Sequence, residues 1–161
     1  MGYTQALREQ MALVGVIPVR VIQTAAQTVY SNVIDMKNHR RALIVAQARG
    51  EATKAVKGMT VKIVQCDASG TAASTALKTG STIHIPGTVG SYAAAVYEVT
   101  AEDIRGSSYG SSFNAPNRYF KVGFTNSTVK TNMSVVILAD SSRYGDGDDN
   151  DASSVSEVAG V

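Results

Sequence analysis

The sequence predicts an all-β fold: an antiparallel β-sandwich, jelly-roll-like, of about eight strands. Three observations predict it. Short segments rich in Val, Ile, Tyr and Phe recur along the chain. The gaps between them are filled by Gly, Ser, Thr and Asn, the residues of turns. No long helical pattern separates consecutive segments, so the crossovers that a parallel sheet needs are missing.

Taken in order, residues 3–13 read as a short helix or an irregular arm, with Thr4 as N-cap and Leu7 and Met11 at i, i+4. So short a segment is not stable alone. Leu7, Met11 and Leu13 therefore need either the body or a neighbouring chain to pack on, and we expect the neighbouring chain. Strands are expected at 19–23, 28–30, 41–46, 60–66, 82–85, 95–99, 119–124 and 134–139. In the strand at 60–66, Val61 and Ile63 fall on one face. In the strand from Tyr119, Phe120, Val122 and Phe124 share one face, and Lys121, Gly123 and Thr125 share the other. Leu43-Ile44-Val45 and Val135-Val136-Ile137-Leu138 are continuously apolar. Such runs mark central strands, or strands covered on both faces. Asp67-Ala68-Ser69-Gly70 is a hairpin turn, and Pro86-Gly87 ends a strand. Residues 50–58 and 105–117 read as the two long loops. The second is rich in Gly and Ser and carries Tyr109 and Phe113, which are either anchors for a partner surface or folded back on the sandwich edge. The expected organisation is an N-terminal arm at 1–15, a β-sandwich at 16–142 and a flexible acidic tail at 143–161.

Composition fits one domain with appendages. The chain has 161 residues, of which 44% are hydrophobic, enough for a core without a metal or disulfide staple. Only 17% are charged, fewer than on most soluble surfaces, which suits a protein that lives in an assembly. Residues 143–161 carry one positive and five negative side chains, a net −4 that leaves +6 on the rest of the chain. An acidic tail on a basic body serves either docking against an acidic partner or solubility. The longest apolar run, residues 12–19, is short and holds Gly15 and Pro18, so neither a signal peptide nor a membrane span is expected.

Catalytic and ligand chemistry finds little support. The two histidines, His39 and His84, have no Cys, His or carboxylate at ligand spacing, so no metal is expected. Cys66 ends a strand with no base beside it and reads as a passenger thiol. Nucleophile elbows, phosphate loops and dinucleotide fingerprints are absent from the sequence. Glu98, Glu102 and Asp103 cluster at a strand end as surface charge. Asp146 to Asp151 offers spaced oxygens, with Glu157 at the twelfth position, but Asp151 stands where a calcium loop of the EF-hand type needs glycine. Lys37, Arg40 and Arg41 form a small basic cluster, too small and too poor in aromatics for nucleic acid and better suited to an acidic protein surface. We expect no enzyme activity, no cofactor, no nucleic acid and no membrane.

Residues 24–45, TAAQTVYSNVIDMKNHRRALIV, place a hydrophobic-Asp-Met strand end before a short turn and an Arg-Arg-hydrophobic strand. Residues 61–71, VKIVQCDASGT, are an alternating strand followed by an Asp and Ser/Gly turn, and residues 117–124, NRYFKVGF, a late strand. Over residues 20–140 this pattern resembles the small β-sandwich virion proteins of tailed bacteriophages, of the capsid decoration (cement) or head-fibre type. The resemblance is one of strands and turns, and leaves the arm and tail outside it. It implies a structural protein that binds major capsid subunits without covalent bonds, self-associates on the capsid surface, and is made in the bacterial host cytoplasm before joining the virion. The alternatives are a tail or head–tail connector protein and, from a different class, a carbohydrate-binding β-sandwich module that uses Tyr109 and Phe113. The interface residues expected from the sequence are Leu7, Met11, Leu13, Arg40, Arg41, Tyr109 and Phe113.

Overall fold

The computed structural model describes residues 11–22, 28–50, 56–71, 78–79, 83–85, 92–105, 118–126 and 131–140. The strands are β1 (Met11–Ile22), β2 (Thr28–Tyr30), β3 (Ile34–Asp35), β4 (Arg41–Gly50), β5 (Val56–Cys66), β6 (Lys78–Thr79), β7 (Ile83–Ile85), β8 (Tyr92–Thr100), β9 (Tyr119–Asn126) and β10 (Thr131–Asp140). One short helix, α1 (Ala101–Arg105), follows β8.

All pairings are antiparallel. One sheet runs β1-β10-β4-β8 and the other β2-β9-β5-β6. β3 also pairs with β9, collinear with β2, and β7 pairs with β5, collinear with β6. Counting each collinear pair as one interrupted edge strand leaves two four-stranded sheets, with the chain passing from sheet to sheet between most consecutive strands. That order is the jelly roll expected from the sequence. Ser31 holds the interruption between β2 and β3 in place. Its N–H donates to the Val122 carbonyl at 2.9 Å, and its Oγ accepts the Val122 N–H at 3.0 Å.

The core lies between the sheets. Ile44, Ala46, Val135 and Ile137 from one face Val61, Ile63, Phe120, Val122 and Phe124 from the other, all buried. The period of two read from the sequence supplies these residues. β4 and β10 are the two inner strands of their sheet, where their continuous apolar runs belong. The turn at Asp67 closes with a Gly70 N–H to Asp67 carbonyl bond of 3.0 Å and a Gly70 φ of +85°. The Ser69 hydroxyl and the Thr71 N–H hold the Asp67 carboxyl below the usual carboxylate range.

Four expectations need correction. Residues 11–15 are not part of a helix or arm; they open β1, with Met11 opposite Asp140 and Leu13 opposite Leu138. Ala12 and Val14 are buried and Met11 and Leu13 are partly exposed, a strand alternation that the i, i+4 spacing of Leu7 and Met11 masked. A ladder of backbone bonds to β10 outweighs a helix too short to nucleate. The loop expected at 50–58 is shorter, because β4 runs to Gly50 and β5 begins at Val56. The outer face of β5 is covered too, since Val64 and Cys66 are buried as well as Val61 and Ile63. Finally, Ala101–Arg105 is helical. Thr100 Oγ1 accepts the Asp103 N–H at 3.1 Å and Asp103 Oδ2 accepts the Thr100 N–H at 2.9 Å, a reciprocal cap that turns the chain and buries Ile104. The tail at 143–161 lies outside the described residues.

Candidate interface on the four-stranded sheet

An antiparallel sheet with one face in the core ordinarily turns polar side chains outward. The β1-β10-β4-β8 sheet does not. Its register aligns Val16, Val136, Val45 and Val96 in one row across all four strands. The next row is Leu13, Leu138 and Leu43, ending on Glu98. Each of these side chains alternates with a buried neighbour, or in β8 with the partly buried Ala95 and Tyr97 that pack against the core, so the two rows lie on the outer face. Val96 is 61% exposed.

Two irregularities in β1 keep the rows aligned. The register shifts between Leu13 and Gly15, so Val14 and Gly15 together face inward and both Leu13 and Val16 stay outward. The inserted position is a glycine for a steric reason. A Cβ at Gly15 would stand 2.9 Å from Asn32 Oδ1 and 3.1 Å from Ile137 Cδ1. The second shift, between Ile17 and Arg20, carries Pro18 on the sheet edge, where its missing N–H costs no ladder bond.

Polar residues bound the apolar rows at both ends. On one side the rows give way to Ser134, Gln47 and Ala94, then to Asn132, Arg49 and Tyr92, with the Arg49 guanidinium 5.5 Å from the Tyr92 ring centre. On the other side Met11, Asp140 and Arg41 meet. Arg41 reaches Glu98 at 3.8 Å, and both side chains are largely in water, so the pair contributes little stability. Met11, Leu43, Leu138, Arg41, Glu98 and Asp140 surround a shallow hollow of about 370 Å3 at this end.

Beyond the hollow, the turn at residues 37–40 is bolted to two elements. Asp140 Oδ1 accepts the Arg40 N–H at 2.9 Å and the Arg41 N–H at 3.3 Å, and the Arg40 carbonyl accepts the Ala101 N–H at 2.7 Å. His39 is buried and its Nδ1 donates to the Asp140 carbonyl; a carbonyl only accepts, so this nitrogen carries the proton. Lys37, Arg40, Glu98, Glu102 and Asp140 line a neighbouring cleft of about 730 Å3. The basic cluster read from the sequence is therefore a rim of mixed sign.

Of the residues expected at an interface, the structure brings Met11, Leu13 and Arg41 to one end of the same outer face, with Arg40 on the adjoining turn. Leu7, Tyr109 and Phe113 lie outside the described residues. The sequence reading missed Val16, Val45, Val96 and Val136 as surface residues. The continuous apolar runs of β4 and β10 were the available signal, since a strand that buries one face has no need of valine and leucine on both.

Among the described residues, Cys66 and His39 are buried. Burial pushes the Cys66 thiol up to about 11, so it is not a nucleophile near neutral pH. Among the described residues no group of three metal-binding side chains comes together, and no helix is long and apolar enough to cross a membrane.

No protein-family model and no curated protein matches the chain. Two solved structures are similar in part. One, described as "CBM4 structure and function", is 12% identical, covers 81% of this chain and 84% of that one, and has a TM-score of 0.40. The other, a structure of the Gt strain of infectious bursal disease virus, is 11% identical, covers 83% of this chain and 40% of that one, and has a TM-score of 0.25.

Proposed function

We propose that this chain is a non-enzymatic structural protein of a tailed-bacteriophage virion that decorates and stabilises the capsid through non-covalent contacts with major capsid subunits. The single observation that carries the reading is the outward apolar face of the four-stranded sheet. An outward row of valines, with Val96 exposed and Val16, Val45 and Val136 partly exposed, backed by a row of partly exposed leucines, is a surface that water disfavours and a protein partner covers. Each Å2 removed from water contributes roughly 25 cal/mol. Repetition over the many copies of a capsid turns modest contacts into firm attachment. The low charge of the chain and its resemblance to small phage β-sandwich proteins support the same reading. The protein is made in the host cytoplasm and ends on the outside of the head.

Gold-labelled antibody against the chain, viewed on negatively stained particles of the encoding phage, tests this. Label spread over the head is expected. Label confined to the tail or neck transfers the protein to the tail or connector alternative, and unlabelled particles remove both. A carbohydrate-binding module would use exposed aromatic rings, and the described ones are engaged by cations. Lys121 Nζ lies 4.4 Å from the Tyr30 ring centre, and Arg49 5.5 Å from that of Tyr92, the two exposed rings among the described residues.

A further inference from the structure

We propose that the outer face of the β1-β10-β4-β8 sheet is the contact face of a two-fold dimer of this chain, in which the sheets of two copies pack face to face. The inference rests on reading that face as a protein contact surface and not on the virion assignment, and it gives the face to a second copy of this chain in place of a capsid subunit.

The symmetry follows from the pattern of the face. The two apolar rows cross β10 and β4 as Val136-Val45 and Leu138-Leu43, nearly the same side chains on either side of the line between these strands. A two-fold axis along that line lays β10 of one copy over β4 of the other. Val136 then meets Val45, and Leu138 meets Leu43. The same operation sets Arg41 of one copy over Asp140 of the other, opposite charges, and it sets Arg49 over Asn132. An axis across the strands at the Val45 row would instead set Arg41 over Arg49 and Leu43 over Gln47. The apolar rows and the Arg41–Asp140 pair thus match their own copies about the axis along the strands, as an isologous interface requires. Aligned sheets in sandwiches cross at about 30°, which shifts individual contacts without changing which strands oppose.

The area is sufficient. Four strands about 4.8 Å apart span about 19 Å, and the outward positions from Arg41 to Arg49 span about 27 Å. That is on the order of 500 Å2 in projection and more as accessible surface, near the ~800 Å2 each partner gives to a standard interface. Val96, the most exposed of the aliphatic side chains on the face, sits on the edge strand β8 opposite Val16 in this arrangement.

Sedimentation equilibrium of the full chain up to about 100 µM tests the proposal. Wild type is expected at twice the chain mass. Val96→Lys and Val45→Lys are each expected to weaken the dimer at least about ten-fold, because each would bury an ammonium against a valine row. Circular dichroism checks that the variants fold; if Val45→Lys does not, Val96→Lys decides, since that side chain already stands mostly in water. A monomeric wild type at 100 µM overturns the proposal, and so does a dimer that neither variant weakens. Antibody labelling of particles is independent of both results, so a failed dimer leaves the virion reading standing, and unlabelled particles leave the dimer standing.

Discussion

Gly15 and Gly123 both sit where a methyl group has little room, yet the outcomes of filling the two places should differ. A Cβ at Gly15 presses on Ile137 and Ile34 in the core and on Asn32, whose side-chain amide donates to the Val14 carbonyl at 3.2 Å. Gly15→Ala is expected to cost about 1–3 kcal/mol in urea denaturation, as overpacking does. A Cβ at Gly123 meets the Tyr30 ring at 2.8 Å and Thr28 Cγ2 at 3.3 Å, and the Tyr30 side chain, with Lys121 Nζ 4.4 Å from its ring centre, is 45% exposed and has room to swing outward. Gly123→Ala should cost less than about 1 kcal/mol. Cys66 supplies a prediction in pH. Its thiol is raised to about 11 from an ordinary 9.0, chiefly by burial. The folded state thus keeps its proton where the unfolded state loses it, so the stability linked to this group is present below about pH 9 and lost as pH rises toward 11. Alkylation with iodoacetamide at pH 8 should be at least about ten-fold slower in the native protein than in urea. Equal rates would mean the thiol is open to solvent.

At the scale of elements, the two sheets differ in what they ask of their strands. β9 alternates, with Phe120, Val122 and Phe124 inward and Lys121 and Thr125 outward, and its face was legible in the sequence. Phe120→Ala is expected to cost about 3–5 kcal/mol, the loss for a large buried aromatic, measured by thermal or denaturant unfolding. β4 and β10 do not alternate in their middles. Their place as inner strands was legible from that fact, but which residues faced water was not, because periodicity carries no information where both faces are apolar. β1 was legible only in its last residues. Its bulges at Gly15 and Pro18 break the period of two, and pairing with β10, more than a hundred residues away, decides what its first half becomes. The two-residue strands β3 and β6 are set by their neighbours alone, and no local pattern marks them. The cap at α1 is legible as Thr100-x-x-Asp103, a capping pattern in which one carboxylate of the surface cluster closes on the backbone. Thr100→Ala should cost about 0.5–2 kcal/mol, with little change in the far-ultraviolet spectrum of so short a helix.

At the scale of the whole molecule, the jelly roll packs one face of each sheet inward, and the sheets then differ in what they turn outward. The outer face of β9 presents lysine and threonine. The outer face of the β1-β10-β4-β8 sheet presents valine and leucine, a pattern that folding alone does not require. Leu13, expected at an interface from the sequence, belongs to those rows, and Met11 and Arg41, expected there too, border them. If the proposed decoration role holds, this face is covered by protein when the chain is bound to the phage head. A density map of the intact particle measures that directly. The account predicts an eight-stranded sandwich on the outer surface of the head, with the Val45 and Val136 row buried against another protein chain. A map with that row open to solvent, or with no copy of this chain on the head, would contradict it.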